Sequence, residues 1–375
     1  MKTTGDQQLV KRINRSVVLR LMRKQNGLSR AQLAKESGLT KSTVSLLVRE
    51  LLEDGWLKER DVARVQGLGR PSTPLEIDTT RKGLMGVEVA VDALRVVGIS
   101  LAGAVLHALE EPLVDKSPRA VCAQVAQLVA RIHLALVQQG VQLHGMGIGL
   151  PGAFDEATGM LSFAPNLGWR HVDFIPLITQ ALTRAGVPSV PLHVQNEADT
   201  AALSEYEFAQ DVVNDSLIFV SCGIGVGAGI VLNDRLFTGT QGMAGEIGHS
   251  ILQHGGALCS CGRRGCAETF FGERTLAKLP DPSQGGQYLG LVLHNLWTTF
   301  NPGSIIVGGS SCIRYPAMVE VAQARLAEYA DSADLAPAPV VQTASYGILA
   351  SSVGAAALVL HHELRPMHAR NANVQ

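Results

Sequence analysis

Aromatic residues are scarce in this 375-residue chain, at 5%, and charged residues make up only 17%. With 46% apolar residues and so few charges, the chain is not a self-repelling disordered segment. Long uncharged apolar runs are missing too: no stretch of about 18 such residues occurs, and the opening MKTTGDQQLVKRINRS lacks the apolar centre of a secretory signal. No membrane attachment and a cytoplasmic location are therefore expected. Cysteine is sparse at six residues, which excludes a small disulfide-stapled scaffold, yet three of the six crowd into 259–266. In a reducing compartment such a cluster reads as thiols or metal ligands. At roughly 100 to 200 residues per domain, the length gives two or three compact units.

The formal net charge of -1 conceals a division. Residues 1–70 hold 15 Lys+Arg against 7 Asp+Glu, whereas residues 71–375 hold 17 against 26. A basic head on an acidic body points to a polyanion-binding module, provided its internal pattern agrees. Ile13, Val17, Val18 and Leu21 recur at helical spacing and predict a first helix with Lys11, Arg12, Arg15 and Arg23 opposite. Ser29 and Gln32 form a capping box for a short second helix ending at Gly38, and Thr40 can cap a third. There Val44, Leu47, Val48, Leu51 and Leu52 make the buried stripe, leaving Lys41, Ser42, Thr43, Ser45 and Arg49 outward. This is a helix-turn-helix, whose second helix places such side chains against base edges and phosphates in the major groove. Two short strands, 55–59 and 73–77, flank Gln66-Gly67-Leu68-Gly69-Arg70-Pro71 and predict a wing, with Arg70 suited to a narrow minor groove. The winged module is assigned residues 1–78. A basic three-helix protein-binding module is the competing reading.

From residue 79 to 375 the texture becomes α/β: β-rich runs at 84–89, 93–100, 145–150, 192–195, 217–220 and 305–308 alternate with helical stretches. Glycine-rich turns follow strands at 149–152 and 222–229, a pattern compatible with two lobes around a cleft. Cys259, Cys261 and Cys266, with one imidazole from His249 or His254, supply four donors suited to a closed tetrahedral zinc site in the loop 249–266. Such a closed site organises a loop and leaves no position for activating water.

These blocks together resemble the ROK family of repressors and sugar kinases. The resemblance covers the whole chain and rests on the helix-turn-helix followed by Gly67-Leu68-Gly69-Arg70-Pro71, on Gly149-Leu150-Pro151-Gly152, Asn166-Leu167-Gly168-Trp169, Asn196-Glu197-Ala198, the 223–229 segment, Gly245-Glu246-Ile247-Gly248-His249 and the Cys259-to-Glu268 block. It implies a two-lobed, actin-like ATPase body of the ribonuclease H-like class behind a winged head. It also implies His249, Cys259, Cys261 and Cys266 as zinc ligands, and Asn196, Glu197, Glu246, His249 and Glu268 as sugar-binding residues, with Gly152 and Asn166 beside them.

Two departures from the family's kinases stand out. Where they carry Asp-x-Gly-Gly-Thr for phosphate, this chain has Glu88-Val89-Ala90-Val91-Asp92, and the catalytic Asp is replaced by Glu197. Phosphoryl transfer depends on positioning, and a displacement of about 1 Å can cost on the order of 10²-fold in rate. The expectation is a dimeric, sugar-responsive transcriptional repressor that binds operator DNA, takes a monosaccharide or sugar phosphate as effector and has no ATP phosphotransfer. The rivals are an active sugar kinase with an accessory DNA-binding head, and a body controlled by a protein partner. Xylose, glucose and N-acetylglucosamine are not distinguished at this level.

Overall fold

The computed structural model describes residues 7–60, 73–156, 158–209, 216–332 and 338–366. The head contains α1 (Gln7–Lys24), α2 (Arg30–Ser37) and α3 (Lys41–Glu53), then β1 (Leu57–Glu59) and β2 (Leu75–Ile77), an antiparallel pair. The Ser29 hydroxyl accepts from the Gln32 backbone N–H while the Gln32 carboxamide accepts from that of Ser29, so the capping box forms as its residues dictate. Thr40 likewise accepts from the Thr43 N–H at the start of α3. The stripe on α1 is rotated from its expected position. Val18, Leu19 and Met22 are buried, whereas Ile13, Val17 and Leu21 are only half-buried, because α1 packs against the body as well as its own module. Residues 61–72, with the wing tip and Arg70, lie outside the described residues.

The body begins with β3 (Lys82–Val89), β4 (Ala93–Ser100) and β5 (Val105–Pro112), an antiparallel meander, then α4 (Pro118–Gln138) and β6 (Gln142–Leu150). A small sheet of β7 (Ala153–Asp155), β8 (Met160–Ala164) and β9 (Trp169–Asp173) follows, then α5 (Phe174–Arg184), β10 (Leu192–Asn196) and α6 (Glu197–Phe208). β6 and β10 add in parallel beyond β3, giving the order β10-β6-β3-β4-β5.

The second half repeats the scheme. β11 (Leu217–Cys222), β12 (Val226–Leu232) and β13 (Arg235–Leu236) are antiparallel neighbours, followed by α7 (Glu268–Phe271), α8 (Glu273–Leu276) and α9 (Gly285–Phe300). Then β14 (Ser304–Gly308), α10 (Ser310–Arg314), α11 (Pro316–Ser332), β15 (Val341–Thr343) and α12 (Ala350–Leu364) complete it, with strand order β13-β12-β11-β14-β15. Each half has its own apolar core, one under α4 and α5 and one under α9 and α11.

α6 and α12 lie against each other between the sheets, α12 on β3 and β6 and α6 on β11 and β12. At Gly229 of β12 the helix comes so close that a β-carbon would sit 2.1 Å from the Ala198 carbonyl oxygen. α4 and the segment 347–364 are long and apolar enough to cross a membrane by length and composition alone. In the fold, α12 is buried on nearly every side and α4 lays its apolar face on β4 and β5.

The head shares a core with the body. Leu33, Val44, Leu51 and Trp56 join Leu84, Val97, Ile99 and Val353 in one cluster, and Trp56 meets His144 edge-on at 4.8 Å. Apolar packing therefore continues across the boundary expected at residue 78.

Candidate functional site

The loop after β13 and the turn before α7 bring His249, Cys259, Cys261 and Cys266 together, with their ligand atoms all within 4.8 Å of one another. Cys261 and Cys266 Sγ are 3.7 Å apart and Cys259 Sγ is 3.6 Å from His249 Nδ1. A tetrahedron with Zn–S of about 2.3 Å and Zn–N of about 2.0 Å has edges of roughly 3.8 and 3.5 Å, so the donor set fits that ion. His254 is not among the four. The other nitrogen of His249, Nε2, faces the Glu246 carboxylate at 3.9 Å.

Beyond this cluster lies a group of carboxylates. Glu197 opens α6 half-buried, with its Oε2 enclosed and, among the described residues, without a hydrogen-bond partner; the buried Asp199 Oδ1 and Asn166 Oδ1 likewise have none there. Burial, followed by the nearby Glu246 charge, pushes both Glu197 and Asp199 well above the usual carboxylate range. Burial and then Glu268 raise Glu246. A β-carbon on Gly225 would lie 3.4 Å from Asn166 Nδ2 and 3.8 Å from Glu268 Oε2, so these two residues face the same glycine-rich turn. Among the described residues, neither Glu246 nor Glu268 is in an ion pair with Arg263 or Arg264; Glu268 instead accepts from Ser260 Oγ at 3.1 Å.

Asn196 has a backbone duty. Its Oδ1 caps α6 by accepting from the Ala198 N–H at 2.7 Å, and its Nδ2 donates to the Gly152 carbonyl at 2.9 Å. Gly152 has φ +92° and its missing β-carbon leaves room for Phe163 O, 2.1 Å from where it would stand. The Asn196–Gly152 pair thus ties the turn after β6 to the start of α6. Asp199 is the residue that sequence reasoning missed here. It lies in the first turn of the helix two residues beyond Glu197, and only its complete burial separates it from an ordinary helix-start carboxylate.

On α3, Lys41, Ser42, Ser45 and Arg49 are exposed, while Thr43 is half-buried with its hydroxyl 2.9 Å from that of Thr40. Leu46, 45% exposed, shares the outer surface of this helix and was hidden from sequence reasoning because it falls outside the apolar stripe.

Comparison with known proteins agrees with this architecture. The profile of the ROK family matches residues 84–283, more than half of the chain. The chain belongs to the ROK family. The profile described as winged helix-turn-helix DNA-binding matches residues 12–58. The xylose repressor of Bacillus subtilis is 28% identical over 390 residues, covering 96% of this chain and 98% of that one. A solved ROK family transcriptional regulator, a homologue of the Escherichia coli MLC protein, superposes with a TM-score of 0.74 at 23% identity, covering 96% of this chain and 98% of that one. A ROK family glucokinase from Streptomyces griseus, solved with glucose and AMPPNP, superposes with a TM-score of 0.63 at 24% identity, covering 74% of this chain and 98% of that one. The likeness to both structures is one of fold.

The ROK body keeps a cleft of about 200 Å³ between its two sheets, lined by Glu88, Asp92, Arg95, Glu197, Glu273 and Arg314 among others. Arg95 donates from Nη1 to Glu88 at 3.2 Å and from Nε to Glu110 at 3.0 Å, forming a carboxylate–guanidinium–carboxylate row. Burial raises the Glu88 pKa and Arg95 offsets this only in part. Across the cleft, Glu273 accepts from Ser310 and from Arg314, each at 2.7 Å. Both arginines are therefore already engaged by carboxylates.

Proposed function

We propose that this ROK protein is a sugar-responsive transcriptional repressor, with α3 reading operator DNA and the carboxylate group at the start of α6 taking a monosaccharide. The carrying observation is the continuity of α6. One end presents Glu197 to the cleft, with Asp199 buried two residues further on, and the other carries Glu207, which accepts from Arg23 of the head's α1 at 2.7 Å.

Sugar hydroxyls are donors suited to this site. Glu197, Asp199, Glu246 and Glu268 repel one another and include oxygens without partners; each hydroxyl donated to them relieves both costs. Asn166 and Gly152 border the pocket, Asn196 holds its backbone in register, and His249 Nε2 is available on its far side. A structural zinc bound by His249, Cys259, Cys261 and Cys266 supplies stiffness to the loop that carries Glu246 and Glu268, with no open position for chemistry. Since a relative spanning nearly the whole chain is named a xylose repressor, xylose is the first effector to test.

Effector binding reaches DNA only if it favours one placement of the head, at about 1.4 kcal/mol for each tenfold change in operator affinity. The contacts available for this are the Arg23–Glu207 pair and the half-exposed Arg20–Asp234 pair at 3.4 Å. In a two-fold dimer, two such heads read a palindromic site. On α3, Lys41 and Arg49 are suited to phosphate, Ser42, Thr43 and Ser45 to base edges, and Leu46 to a thymine methyl; Arg70, outside the described residues, is suited by its Gly-Arg-Pro sequence to the minor groove.

The row Glu88–Arg95–Glu110 argues against nucleotide chemistry, because a triphosphate would meet carboxylates where a kinase offers backbone N–H groups. Two measurements test the reading. Operator DNA should be bound by the purified protein and released on adding one aldose, with xylose tried first. Incubation with ATP, Mg²⁺ and the same aldoses should yield no sugar phosphate; turnover at ordinary kinase rates overturns the sensor reading in favour of an active kinase, and operator binding unmoved by every sugar but released by a cell extract favours control by a protein partner.

A further inference from the structure

Outside the cysteine cluster, Glu156, His193 and His362 bring a carboxylate oxygen and two imidazole nitrogens within 4.8 Å of one another. They come from three separate elements. Glu156 follows β7 directly, His193 lies in β10 three residues before Asn196, and His362 lies in the last turn of α12. His362 Nε2 is 3.1 Å from Glu156 Oε1, and the two imidazoles stack face to face with centroids 4.1 Å apart at 8°. We propose that these three residues form a second metal site for a divalent ion of the zinc, cobalt or nickel class.

The donor set selects the class. Two imidazoles with one carboxylate suit borderline transition ions and are poor ligands for Mg²⁺ or Ca²⁺, which require oxygen. Three protein donors leave at least one position open, unlike the closed cysteine site. Glu156 and His362 also line a cavity of about 360 Å³, shared with Gln195, Arg235, Thr238 and Arg365, which gives an ion a way in and room for water ligands. Because the rings lie parallel, binding requires one of them to turn until both nitrogens point at a common centre.

An ion there would cross-link β7, β10 and α12. β7 begins one residue after Gly152 and β10 ends at Asn196, so the site stiffens the pocket from behind. It stands apart from the repressor reading, since metal binding is measured without sugar or DNA.

The protein loaded with one equivalent of Zn²⁺ is titrated with Co²⁺ by calorimetry and visible absorption. A second equivalent should bind without the absorption of cobalt thiolate, and saturation should raise Tm. His193→Asn and His362→Asn should weaken that second event by more than the roughly 10- to 100-fold that follows removal of an outer hydrogen-bond partner of a ligand, while the first zinc stays. Glu156→Gln, at an exposed position that leaves packing intact, should weaken it by about tenfold or more, because an amide oxygen is a poorer donor to such an ion than a carboxylate. Uptake confined to the thiolate site, or a second event indifferent to all three substitutions, overturns the proposal.

Discussion

Glu207 carries an unusual load for one carboxylate. It accepts from Arg23 and Arg365, each at 2.7 Å, and lies 2.9 Å from His361 Nδ1, with its side chain 4% exposed. Burial alone would raise its pKa, but Arg23 first, then His361 and Arg365, hold it well below the usual glutamate range. A carboxylate depressed on folding stabilises the native state above its unfolded pKa and loses that contribution as pH falls through the folded value. Glu207→Gln should therefore cost about 3 to 5 kcal/mol near neutral pH by leaving buried cations uncompensated. The Tm difference from wild type should shrink as pH is lowered from about 5 toward 2. A difference that does not vary with pH would show that the charge is not what matters.

Glu197 supports the opposite kind of prediction. Its oxygen without a partner is a cost in the free protein, so Glu197→Gln should leave stability unchanged or improved while weakening sugar binding by about tenfold or more, read by calorimetry. Reduced stability together with full sugar affinity would remove this residue from the pocket.

Among elements, α6 depends on β12 having no side chain at Gly229. Gly229→Val inserts a branched group where a β-carbon already meets Ala198 O at 2.1 Å. An overpacking cost of about 1 to 3 kcal/mol or more is expected, with α6 displaced at the end bearing Glu197. Thermal melts and sugar titration of this variant check both effects. For α3, Lys41→Ala and Arg49→Ala should each weaken operator binding across sequences and lower the salt slope by about 0.9 for every phosphate no longer neutralised. Ser45→Ala should instead change the preference among operator sequences. The caps of α2 and α3 and the apolar stripe of α3 were legible because they are local: Ser29, Gln32 and Thr40 bond within three residues of themselves. The face of α1 was not, because its burial depends on α12, more than 300 residues later in the chain.

For the whole molecule, the metal cluster and pocket should fail together. Cys261→Ser should lower metal affinity and sugar affinity together, because the loop that carries the proposed zinc ligands also carries Glu246 and Glu268 of the proposed sugar pocket. Metal analysis paired with calorimetry tests this coupling, and intact sugar affinity in the metal-free protein would break it. The head makes a similar point about scale: α3 is self-contained in sequence, yet its orientation is fixed by a core shared with β3, β4 and α12 and by Arg23 on Glu207.

By itself, the sequence determined the order of the parts: a basic three-helix head, two α/β halves, and a cysteine–histidine loop whose four donors lie within 18 residues. Helix caps, strand runs and closely spaced ligands act over a few residues, so their physics is written locally. Tertiary structure alone decided what requires distant residues to meet. It set Arg95 between Glu88 and Glu110, buried Asp199 beside Glu197, joined α6 to the head through Glu207, and brought His193 and His362 face to face. Burial and electrostatic coupling depend on which surfaces close on one another, and no spacing along the chain encodes that.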